Sequence, residues 1–198
     1  MPIKSIEYVS KAIKVLEDNY EVLPPIYGWH SYNLAKDIAR TGDSEKAILK
    51  LKKTYEFYTK QTNGYERQLL RIQMNIVKQH IVLNQYNLAK KEFDKLEIIG
   101  LENLPPNYLD QSQLLLLKAL LSFQFDSLEE IKIKTTQFYD YSKNHFGPES
   151  EDKDEVLEAY WYYLQAKLFQ KQNKTELFLN AITKTENIID KYPEDYIG

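Results

Sequence analysis

The sequence predicts an all-α protein, and three observations carry that reading. Apolar residues recur every three or four positions, as in Ile6, Val9, Ile13 and Leu16, which is the period of one helix face. Glycine and proline are few, six and seven in 198 residues, and they cluster as punctuation rather than spreading through the chain. Side chains suited to capping helix starts stand directly after several of those breaks.

These signals predict nine helices in order. The first covers 3–20 and ends before Pro24-Pro25. The second and third, 26–40 and 44–60, carry Leu34, Ile38, Ile48, Leu51 and Tyr55 on one stripe, divided at Gly42, with Asp43-Ser44 placed to cap the third. Helices over 65–83 and 86–98 lie between Gly64 and Gly100. The sixth, 109–124, follows Pro105-Pro106, and Asp110-Gln-Ser-Gln113 has capping chemistry at its start. Ser127-Leu-Glu-Glu130 is a capping box opening 127–145, which runs to Gly147-Pro148. The last two cover 151–172 and 175–191 and stop before Pro193.

The helices repeat. Tyr32-Asn-Leu34-Ala35 leads through a Gly42-Asp turn to the small residue Ala47 and then Leu51. A second copy runs from Asn75 and Ile76 through Asn84-Gln85 to Ala89-x-x-x-Phe93. Two weaker copies centre on Ala119 with Ile131 and on Ala166 with Phe178. Ala47, Ala89, Ile131 and Phe178 stand 42, 42 and 47 residues apart. The pattern resembles the tetratricopeptide (TPR) family in its long-repeat variety, as in kinesin light chains and many bacterial solenoids; the common repeat is about 34 residues.

That resemblance implies a right-handed α-solenoid of about four TPR-like helix pairs plus an extra N-terminal helix. The whole of 1–198 is then a single repeat domain, with a capping or orphan helix in 1–24 and repeats at 26–60, 65–98, 109–145 and 151–191. Small residues at Ala35 and Ala89 let two helix axes approach, and each pair covers the apolar face its neighbour leaves open.

Composition narrows the function. The formal net charge is −3, which gives no concentrated positive face for general nucleic-acid binding and no attraction to anionic lipid. There is no cysteine, so disulfides, thiolate catalysis and thiolate zinc sites are excluded. The N-terminus has no signal-peptide apolar core, and the longest purely apolar run is Leu114 to Leu117, so a soluble cytoplasmic protein that does not enter a membrane is expected. His30, His80 and His145 have no helical-spaced partner, and His80 falls on a packing face. The acids Glu149, Glu151, Asp152, Asp154 and Glu155 suit a helix start, not a calcium loop. No phosphate loop, nucleophile elbow or zinc-protease motif occurs, so neither an enzyme nor a cofactor is expected.

The remaining expectation is a protein- or peptide-binding scaffold. In TPR proteins first helices line a concave groove. Carrying that pattern over selects Trp29, Tyr32 and Lys36, then Arg71, Met74, Asn75 and Lys78, then Tyr160, Tyr163 and Lys167. An aromatic groove with several cations suits an acidic peptide partner and leaves self-association open. The family's carboxylate clamp needs lysine and asparagine where this chain has Tyr32 and Lys36, and although Asn75 matches the second copy, Gln113 and Leu117 replace the third copy's cations. Chaperone-tail binding is therefore disfavoured. The alternative reading is the sensor or interaction domain of a larger, peptide-responsive bacterial regulator whose effector module lies elsewhere, motivated by the unpaired first helix.

Overall fold

The computed structural model describes residues 2–61, 64–99, 107–146 and 154–191. Among them are nine α-helices and no strand: α1 (Pro2–Asn19), α2 (Pro25–Arg40), α3 (Ser44–Thr59), α4 (Glu66–Val82), α5 (Tyr86–Ile99), α6 (Tyr108–Phe125), α7 (Leu128–Ser142), α8 (Glu155–Lys171) and α9 (Thr175–Ile189). A short 3₁₀ turn, Lys143–His145, follows α7. The spacing and the breaks had placed every one of these helices. The predicted breaks at Gly100, Pro105-Pro106, Gly147-Pro148 and Pro193, and the acids Glu149, Glu151 and Asp152, lie outside the described residues.

The helices form two compact units, α1–α5 and α6–α9. Within the first, α2 pairs with α3 and α4 with α5, while α1 packs on α2 and α3 on α4. Within the second, α6 pairs with α7 and α8 with α9. Each apolar cluster draws on three consecutive helices. Ile13, Leu34, Ile38, Ala39 and Ala47 join α1, α2 and α3; Ala35, Leu51, Tyr58, Ile72 and Ile76 join α2, α3 and α4. Leu116, Phe123, Ile131, Phe138, Leu157 and Leu164 join α6, α7 and α8. Sharing helices between successive clusters is how stacked repeats cover the face that a single pair exposes.

Small residues fix the spacing. Ala35, Ala47, Ala89 and Ala119 are completely buried. Gly28 adds a contact that punctuation reading passes over, because it sits inside α2 and breaks nothing. A Cβ there would stand 2.5 Å from the Tyr58 ring and 2.8 Å from Phe57, so a glycine disfavoured in helix interiors is kept where α3's aromatics press on α2.

The turns inside the pairs share a solution. Gly42, Asn84 and Asn173 all adopt positive φ, at 85°, 57° and 57°, the left-handed residue that ends a helix. In two of them the next amide closes the turn: Gln85 N donates to His80 O at 2.8 Å and Lys174 N to Phe169 O at 3.0 Å. Asparagine thus does at Asn84 what glycine does at Gly42, at a modest steric cost. The third pair instead turns through extended Asp126 into Ser127, whose reciprocal bonds with Glu130 form the predicted capping box.

Two helix starts differ from the sequence reading. Asn107, not Asp110, caps α6: its side chain accepts from Asp110 N at 3.1 Å, and Asp110 is buried in the first turn. The start of α8 is Glu155, four residues later than expected, because Asp154 accepts from Leu157 N at 3.0 Å and serves as the cap.

Asn84→Ala should destabilise the chain by about 1 kcal/mol, the cost of forcing a Cβ-bearing residue without a local hydrogen-bonding side chain into left-handed backbone. Asn84→Gly should leave stability unchanged or raise it slightly. Urea unfolding of the two variants against the parent checks the ordering.

Candidate functional site

In the first unit α2 and α4 carry six of the sequence-selected residues on two helix sides. Trp29, Tyr32 and Lys36 sit at i, i+3 and i+7 on α2, and Arg71, Asn75 and Lys78 at i, i+4 and i+7 on α4, so each trio shares one helix side. The two sides are joined by a side-chain bond: Asn75 Nδ2 donates to the Tyr32 hydroxyl at 2.9 Å and to Arg71 O at 2.8 Å. The Tyr32 ring rests against the apolar cluster of Ala35, Ile72 and Ile76, and the Lys36 ammonium lies 5.7 Å from its centroid. The ring is therefore held at both ends, by packing and by Asn75, and carries a cation beside it.

The electrostatics of this patch are lopsided. Lys36 is half-buried, and its ammonium is pushed below the ordinary lysine value, first by desolvation and then by the charge of Arg40, with Lys78 and Arg71 adding to the effect. Asp37 opposes them, but its carboxylate already accepts from Ser5 Oγ on α1 at 2.5 Å and from Arg40 at 3.3 Å. Arg40, Arg71 and Lys78 thus all act on Lys36, with Asp37 opposing them, in a chain whose net charge is −3.

Met74 departs from the expected groove. It is 2% exposed and lies on the interior stripe of α4 with Leu70 and Val77, so it packs the core and offers nothing to a ligand. Copying the register from Tyr32 selected it, but the equivalent position of α4 is turned fully inward. Trp29, by contrast, is 52% exposed, one turn before Tyr32. Arg40 was missed because it lies in the last turn of α2, outside the positions the family pattern lines up; its basic character at a helix C-terminus was the available signal.

The second unit carries a smaller version. Tyr163 on α8 is exposed, and Lys167 one turn on places its ammonium 5.2 Å from that ring and 5.9 Å from the buried Phe123 ring of α6. Tyr160 packs on the unit's apolar cluster. Beside them Trp161 meets Tyr139 at 4.3 Å between centroids, and Lys184 of α9 lies 5.0 Å from the Tyr162 ring. Tyr32, Tyr55, Tyr65, Tyr108 and Tyr160 likewise rest partly buried against apolar clusters.

The other titratable candidates have structural partners. His80 is buried with Nδ1 2.7 Å from Gln85 Oε1, and His145 stacks on Tyr108 at 4.1 Å. Glu92 is held below the usual carboxylate range: burial alone would raise it, but hydrogen bonds from Lys95 and Gln73 outweigh that. Among the described residues no three His, Cys, Asp or Glu side chains converge as a cation site, and no helix is long and apolar enough to cross a membrane.

Two solved structures share this arrangement of helices. Both are crystal structures of the nearly identical TPR-like repeats of a Podosopora anserina putative kinesin light chain. They are 12% identical to this chain, with TM-scores of 0.59 and 0.57, covering 96% of it and 87% and 88% of their own chains. The fold is that of TPR-like repeats. No family model matches the sequence, and no curated protein matches it.

Lys36→Met should leave thermal stability unchanged or raise it slightly at neutral pH, within about 0.5 kcal/mol. The folded state holds this ammonium below its unfolded value, so protonation disfavours folding and stability rises with pH from the lowered value towards 10.5. Thermal melts across pH 7 to 10 check the sign: the parent should gain stability relative to Lys36→Met as pH rises.

Proposed function

We propose that this chain is a protein- or peptide-binding scaffold that recognises an acidic segment of its partner on the α2/α4 face of the first unit. The observation that carries the reading is the bond from Asn75 to Tyr32, which ties the two helix faces together and fixes an aromatic ring beside Lys36, an ammonium that also feels the charges of Arg40, Lys78 and Arg71. A rigid ring contributes contact area at low entropic cost, and a group of like charges steers an oppositely charged partner. The exposed Tyr163 with Lys167 in the second unit offers a further contact of the same chemistry. The TPR-like fold supports the scaffold role.

Capture of partners from a lysate of the source cell on the immobilised chain tests this. Partners should be lost, by about ten-fold or more, with Tyr32→Ala and with Lys78→Glu, and retained with Lys53→Glu on the exposed side of α3. Specific partners retained undiminished by both groove variants would contradict the assignment. Binding should also weaken steeply as salt rises from low to physiological strength.

A further inference from the structure

We propose that two copies of this chain associate through α1, the two helices packing antiparallel about a twofold axis at Lys11. This surface is separate from the α2/α4 face and does not depend on how that face is read. Along α1, Ile6, Val9 and Ile13 turn towards α2 and α3. The opposite side carries Lys4, Tyr8, Lys11, Val15 and Asp18, all exposed and spaced by four, three, four and three residues, the period of a helix–helix seam. The end helix of a stacked array needs a polar outer face, yet Tyr8 and Val15, at 69% and 59% exposure, occupy the middle of this one.

The charges identify a second copy as the occupant. The seam is basic near its start, at Lys4, and acidic near its end, at Asp18, and each of these lies seven residues from Lys11. Reversing one copy against the other about Lys11 therefore sets Lys4 of each against Asp18 of the other, with Tyr8 beside Val15. The two Lys11 side chains meet at the axis, but each donates to Glu7 of its own helix at 2.6 Å, which offsets its charge. Lys4 and Asp18 form no ion pair among the described residues. Both also stand at the end of α1 that the helix dipole disfavours, since the first turn holds no acid and the last no base. That placement weakens the isolated helix and is offset when the opposite charge of a second copy arrives. An 18-residue helix is about 27 Å long at 1.5 Å per residue, so one helix pair buries less than a permanent dimer needs, and the association is weak and reversible.

Sedimentation velocity of the full chain at low salt, from about 10 to about 500 μM, tests this. A monomer–dimer equilibrium is expected. Lys4→Glu and Asp18→Lys should each weaken the dimer about ten-fold or more without lowering the melting temperature, because each reversal suits the dipole of α1. An equimolar mixture of those two variants should restore the dimer, since pairing one variant with the other puts unlike charges at both ends of the seam again. Tyr8→Ala combined with Val15→Ala should also weaken it, while Leu49→Ala, exposed on α3, should not. A chain that stays monomeric throughout this range overturns the proposal. So does a dimer indifferent to either charge reversal, or a mixture that associates no more than its two components.

Discussion

The close approach of paired helices at fully buried alanines is the constraint on which the rest depends. Ala35 sits where α2 meets α3 and α4, Ala47 where α3 meets α1 and α2, and Ala119 within the cluster of α6, α7 and α8. A methyl group at these points lets larger residues such as Leu51, Ile72 and Phe138 interdigitate around it. Polar groups tie the same layers. Ser44 donates to Gln79 at 2.8 Å across α3 and α4, Gln73 donates to Glu92 across α4 and α5, and Ser142 donates to Ser112 across α6 and α7. A buried serine or glutamine without its partner would cost more than the bond contributes, so these pairs fix register as well as spacing.

The α2/α4 face follows from that spacing. Ile72 and Ile76 of α4 reach the Ala35 cluster with α3 packed against both α2 and α4, and from the same helix Asn75 reaches the Tyr32 hydroxyl. Packing on one side of the two helices therefore sets the geometry of the polar side. The cost is electrostatic: Lys36 is partly desolvated and crowded by like charge. Side chains that penalise the folded state while occupying a surface are a common mark of binding sites, where stability is given up for function.

Much of the fold was legible because its signals are local. Helix starts at Ser44, Tyr86, Leu128 and Thr175 reproduce the 42-, 42- and 47-residue steps read from Ala47, Ala89, Ile131 and Phe178, each of which is the fourth residue of its helix. Turn chemistry was legible at Gly42 and Ser127 for the same reason. What was missed depends on contacts distant in sequence. Gly28 answers to Tyr58, thirty residues away, and nothing near it in the chain announces that. Met74 was misread because equal repeat position does not guarantee equal exposure. In α9 the buried small residue is Ala181 and Phe178 is only half-buried. At Asp110 the carboxylate had capping chemistry, but Asn107, one turn earlier, took the role. On the candidate face, the Tyr32–Asn75 bond and the charge of Arg40 acting on Lys36 became visible only in the packed helices.

The most direct test of the close-approach account is a pair of neighbouring substitutions on α5, compared by equilibrium unfolding in urea. Ala89 is fully buried and Leu88 beside it is 47% exposed. The account predicts that Ala89→Trp lowers stability by about 1–3 kcal/mol or more through overpacking, while Leu88→Trp changes it by less than about 0.5 kcal/mol. Equal and small effects at the two positions would contradict it.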